Sequence, residues 1–227
     1  MNRLLVAAGM LAILIVPAWC GPVVLNPSFE LDVLGSPFIG GAATVQNWTY
    51  TVGPNGGTTL PHWAVGYADS GGSVTTAGQG NEFVSMGSGN STFGSGIFSS
   101  WSQNVSGFTI GLPYVLSFMI AGQGTNLFWP VTAQIIDTST QSQNFRAPPS
   151  SSNYFRTWQT FTMTFTANAA TEQVLFTSPT AGNVGLDNVG IVQAPEPGTW
   201  SLLGAGITAL ALRGAARRAE SRLRRRN

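Results

Sequence analysis

The sequence predicts an all-β fold: an antiparallel β-sandwich of the jelly-roll kind, flanked by an N-terminal signal peptide and a short C-terminal anchor helix. Three observations predict it. Apolar runs between residues 21 and 194 are short, rich in β-branched and aromatic residues, and bounded by Gly, Pro, Asn and Ser. Residues 158–166 alternate with period two: Phe161, Met163 and Phe165 share one face, and Thr160, Thr162 and Thr164 the other, as a half-buried antiparallel strand requires. No stretch of this body carries a helical period.

The elements follow in order. Strands are expected at residues 23–25, 82–86, 102–105, 114–121, 132–137, 158–166, 173–177 and 185–192. About eight strands in roughly 170 residues is the density of a sandwich. Long turn-rich links separate them, at 35–41, 53–61, 69–80, 87–100 and 146–153. A hydrophobic content of 43% with 11% aromatic residues is ample for a packed core, so the low charge of 8% does not signal disorder. The chain divides into residues 1–20 (signal), 21–194 (sandwich) and 195–227 (C-terminal address).

Charge and chemistry exclude several function classes. Between residues 21 and 194 the two basic residues, Arg146 and Arg156, face seven carboxylates, so the body is near 2 − 7 = −5. It has no basic face to grip phosphates, and nucleic acid is not an expected partner. The single cysteine, Cys20, allows neither an internal disulfide nor a cysteine metal site. His62 is the only histidine; it is read in a loop, as a surface or packing residue, with no nucleophile-elbow serine to serve. The acids are scattered singly, without a glycosidase motif. The chain is not expected to be an enzyme.

Both ends read as addresses. Met1 to Arg3 form a positive head before an apolar run over residues 4–16, then small or turn-forming residues at Pro17, Ala18 and Gly21, the layout of a secretory signal. Cleavage is open between Ala18 and Cys20. At the other end Pro195-Glu196-Pro197 precedes a thirteen-residue, largely apolar stretch over 200–212, and seven of the ten arginines follow it. As a helix that stretch is about 20 Å long, a marginal span of a ~30 Å hydrocarbon core, and the arginines favour a cytoplasmic end. This tripartite end resembles the PEP-CTERM sorting signal of Gram-negative bacteria. The resemblance implies processing by an exosortase near Pro195, Glu196 and Pro197, transient anchoring in the inner membrane, and delivery to a cell surface or matrix containing exopolysaccharide.

A second resemblance spans the body. Asn26-Pro-Ser-Phe29-Glu30 opens it and Gly185-Leu-Asp187-Asn188-Val189 closes it, with Trp48-Thr49, Gly80-Asn81-Glu82-Phe83-Val84, Trp101-Ser-Gln-Asn-Val105, Pro113-Tyr114-Val-Leu-Ser-Phe118 and Trp158-Gln-Thr-Phe161 between. This order resembles the galactose-binding-like jelly rolls of carbohydrate-binding modules, with Pro27 where the usual opening has Gly. The resemblance implies a non-catalytic glycan-binding sandwich, and a structural calcium near Glu30 and Asp187, whose hard oxygens suit that ion. Sugar stacking would use loop aromatics, for which Phe128, Trp129, Trp63 and Tyr67 are the candidates. The alternatives are a structural matrix component without a specific ligand and, more distantly, a glycan-active hydrolase.

Overall fold

The computed structural model describes residues 21–31, 38–39, 45–53, 62–64, 76–87, 99–124, 129–150, 155–179 and 183–195. Eleven strands lie among them: β1 (Phe38–Ile39), β2 (Thr49–Val52), β3 (His62–Ala64), β4 (Glu82–Met86), β5 (Ser99–Ser106), β6 (Pro113–Gly122), β7 (Trp129–Ile136), β8 (Thr140–Ala147), β9 (Gln159–Thr166), β10 (Thr171–Ser178) and β11 (Val184–Gln193). They form a six-stranded sheet ordered β1-β3-β4-β11-β6-β9 and a five-stranded sheet ordered β2-β5-β10-β7-β8. All pairings are antiparallel. The protein is the all-β sandwich that the sequence predicts.

Alternation builds the core. On β6, Tyr114, Leu116, Phe118 and Ile120 are buried while the alternate residues Pro113, Val115, Ser117 and Met119 are half-exposed. Across the sandwich β10 contributes Val174 and Phe176, and β7 contributes Val131, Ala133 and Ile135. Each such side chain stabilises the fold by roughly 1.5–3 kcal/mol on burial. Phe118 sits at the centre, with ring centroids 5.0 Å from Phe145 and 4.9 Å from Phe176. Trp101 joins the layers: from β5 its indole N–H donates to the Ser85 carbonyl on β4 at 2.9 Å. A smaller cluster of Phe83, Ala121 and Phe155 lies against Ala77 and Trp158. Gly185 leaves the space for Trp158 there, because a Cβ would lie 2.6 Å from its ring.

Three expectations are corrected. Residues 23–25 join no ladder: the Leu25 N–H and C=O are both bonded to the Gln103 side-chain amide, at 2.8 Å each. No strand is expected between residues 137 and 158 and a link is expected from residue 146, yet β8 occupies Thr140–Ala147. Its sequence is polar because it lies at a sheet edge and buries only Phe145 and Ala147. His62 is on a strand rather than in a loop, is 1% exposed, and its Nε2 lies 3.2 Å from Glu82 Oε2. The signal region, residues 1–20, and the C-terminal segment beyond Pro195 lie outside the described residues. Among the described residues no helix is long and apolar enough to cross a membrane.

Candidate functional site

The opening turn is built by its own side chains. Asn26 and Phe29 take positive φ, 50° and 62°, a region that costs an L-residue energy unless contacts fix it. Here they do. The Phe29 N–H donates to the Asn26 carbonyl at 3.2 Å, and the Leu31 N–H to Asn26 Oδ1 at 3.1 Å. Trp48 Nε1–H donates to the Asn26 carbonyl at 3.0 Å. Phe29 is fully buried, with its ring 5.2 Å from that of Trp48. The Val189 N–H donates to the Pro27 carbonyl at 2.8 Å, tying the turn to β11.

This places Glu30 against the segment entering β4. Its Oε1 accepts the N–H groups of Asn81 and Glu82 at 2.6 and 2.7 Å. Gly80, at φ +67°, is required there, since a Cβ would overlap the Glu30 carboxylate. Asp187 reaches the same segment from β11, where the ladder with β6 shifts register between Asp187 and Gly190. Its Oδ2 accepts the Gln79 N–H at 2.8 Å and its Oδ1 the Asn188 N–H at 2.6 Å. Asp187 is 0% exposed. Burial pushes its carboxyl up to about 7 against the opposing pull of the amide donors, and the Glu30 charge adds to the rise. The structure thus brings the two sequence-predicted carboxylates onto one short segment, residues 78–82. Among the described residues no three His, Cys, Asp or Glu side chains converge as a metal site, so a cation held by Glu30 and Asp187 would draw its further oxygens from backbone and water.

The aromatic candidates separate. Trp129, at the start of β7, is half-buried against the core, and its indole N–H donates to the Gln123 carbonyl at 2.6 Å. Trp63 is on β3, its backbone opposite Phe83. Phe128 and Tyr67 lie outside the described residues, as do Glu196 and Pro197 of the sorting motif; Pro195 is the last residue described. Trp48 is a core residue, 6% exposed, and Tyr50 packs on Trp101 with centroids 4.9 Å apart.

A surface that the sequence reading missed lies on the outer face of the five-stranded sheet. One cross-strand row runs Thr49, Ser102, Leu175, Gln134, Ser142, and the next runs Thr51, Ser100, Thr177, Thr132, Asn144. The Thr132 hydroxyl donates to Asn144 Oδ1 at 2.8 Å across the strands. Nine of these ten side chains are hydroxyls or amides and none is charged. The available signal was Ser or Asn at every second position of β5, with Thr132 and Gln134 on β7 and Thr140, Ser142 and Asn144 on β8, which is legible only once the pairing is known.

The class that the coordinates define is one of fold, an all-β jelly-roll sandwich of two antiparallel sheets. No family model matches the sequence, and no curated protein is similar to it. Among solved structures, one from Bacteroides thetaiotaomicron, provisionally described as a sugar-binding protein, has a TM-score of 0.50 at 12% identity, over 75% of this chain and 99% of its own. The module TmCBM61, solved with β-1,4-galactotriose, gives 0.46 at 16% identity over 75% of this chain and 97% of its own. The K2 cleaved adhesin domain of Lys-gingipain gives 0.47 at 14% identity over 74% and 97%. At these identities the likeness is one of fold.

Proposed function

We propose that this chain is an exported, non-catalytic glycan-binding protein of a cell surface or exopolysaccharide matrix. The observation that carries the reading is the pair of uncharged, hydroxyl- and amide-rich cross-strand rows on the outer face of the five-stranded sheet, which hold donors and acceptors in register across five strands, with Arg146 the charged residue next to them on β8. Sugar hydroxyls are met by such neutral groups without dependence on the charge of the −5 body. Trp129, which alternates with Thr132 and Gln134 and so lies on the core-facing side of β7, is proposed with Phe128 as a stacking anchor separate from these rows. The C-terminal order of Pro195-Glu196-Pro197, apolar stretch and arginines supports exosortase processing after transient anchoring in the inner membrane. His62 lies buried beside Glu82, a position that favours a packing role over attack on a substrate.

Calcium is proposed at Glu30 and Asp187. The support is a buried carboxylate whose ionised form is disfavoured where it stands, with a second carboxylate, Glu30, held on the same short segment. A divalent cation would favour both ionised forms and fasten the opening turn, the 78–82 segment and β11 together. The functional reading is tested by presenting the full-length chain to an array of neutral and acidic polysaccharides at low and high salt. Salt-resistant binding to neutral chains is expected. Binding confined to acidic chains, or to none, refutes it.

A further inference from the structure

We propose that strand β9 is a self-association edge, at which a second copy of this chain adds its own β9 antiparallel and extends the six-stranded sheet across two molecules. β9 is the last strand of that sheet and pairs with β6 alone, without a bulge, from Pro113 opposite Thr166 to Ile120 opposite Gln159. The Thr166 N–H and C=O are bonded to the Gln141 side chain of the other sheet, at 3.1 and 2.7 Å, and so point away from β6. In an antiparallel strand the N–H and C=O of one residue point to the same side, and the side alternates. Thr160, Thr162 and Thr164 therefore turn their N–H and C=O outward as well, with no hydrogen bond to them among the described residues. Their side chains are exposed.

Folded proteins usually blunt such an edge with a charge, a proline or a bulge, and residues 159–166 contain none of these. The free groups recur at every second residue, about 7 Å apart with donor beside acceptor, a spacing that another strand matches. The sequence of β9 fits itself. With Thr162 opposite its own copy, Thr160 meets Thr164 on the solvent side and Phe161 meets Met163 on the core side, and every free group on the edge is used. Phe161 is half-exposed at this seam beside Phe118 and Phe145, so a mate would cover it. The body as a whole is acidic, yet this edge is uncharged, so two copies meet here without local repulsion. The Gln141 cap on Thr166 sets where the free edge ends.

The test uses the full-length chain and two variants, Thr162→Lys/Thr164→Lys and Thr162→Glu/Thr164→Glu, in sedimentation velocity. Wild type is expected as a dimer, each variant alone at half that mass, and their equimolar mixture again as a dimer. A monomeric wild type, or a lysine variant that stays dimeric, overturns the proposal. Residue-resolved amide exchange on wild type provides a second reading that needs no substitution. The outward amides of Thr160, Thr162 and Thr164 should exchange more slowly as protein concentration rises, while those of Phe161 and Met163, directed to β6, stay protected throughout and report an intact fold. Concentration-independent exchange at the three threonines also overturns it.

Discussion

Raising the pH in the presence of a chelator should destabilise this protein, and Asp187 sets the size of the effect. Its carboxyl is pushed up by burial to about 7 from the ordinary 3.8, so between those values the folded state holds a proton that the unfolded state has released. Stability from a raised pKa is fully present below the unfolded value and is lost as pH rises through the folded one. A difference of about three pH units corresponds to about 4 kcal/mol, a large share of the 5–15 kcal/mol that holds a typical domain. Part of that loss has already occurred at pH 5, which lies above the unfolded value, so denaturant titrations in chelator should show the sandwich weaker at pH 8 than at pH 5 by about 2–3 kcal/mol. Glu172, raised by burial, adds in the same direction. Calcium should reverse the trend, because it binds the ionised carboxylate. At a hundredfold excess over its dissociation constant it restores about 2.7 kcal/mol, and more at pH 8 than at pH 5. Asp187→Asn should remove most of the slope and most of the calcium response, leaving the Glu172 contribution. Equal stability at both pH values in chelator would refute the desolvation argument. A pH effect that calcium leaves untouched would refute the cation assignment alone.

Other outcomes follow from particular contacts. Phe118→Ala should cost about 3–5 kcal/mol in denaturant unfolding, since the side chain is fully buried among Phe145, Phe161 and Phe176. Gln103→Ala should cost about 2–4 kcal/mol, because the backbone groups of Leu25 and Asn47 lose three hydrogen bonds to its buried amide. Trp129→Ala, after circular dichroism has shown the fold intact, should weaken glycan binding roughly tenfold or more, the order expected for a lost stacked ring of about 1–3 kcal/mol; equal affinity would remove Trp129 from the site. Intact-mass analysis of surface-released protein should show the loss of Arg222 to Arg226, and retention of that tail would count against exosortase processing.

The sequence by itself determined the fold class and most of the sheet. Short apolar runs at 82–86 and 114–121 and period-two alternation over 158–166 report which segments leave water, and β4, β6 and β9 lie where they place them. It also singled out Glu30 and Asp187, which the structure brings to one segment although they are 157 residues apart. Tertiary structure alone decided the rest, because each remaining feature depends on a partner distant in sequence. Polar β8 becomes a strand only by pairing with β7. Residues 23–25 fail to become one because Gln103 satisfies the backbone first. His62 is a core residue because β3 lies beside β4. The hydroxyl rows exist only as a register of five strands, and the free edge of β9 only because no strand among the described residues lies beyond it. Local periodicity records burial, which each residue feels for itself; pairing and register are relations between residues, and only the folded chain sets them.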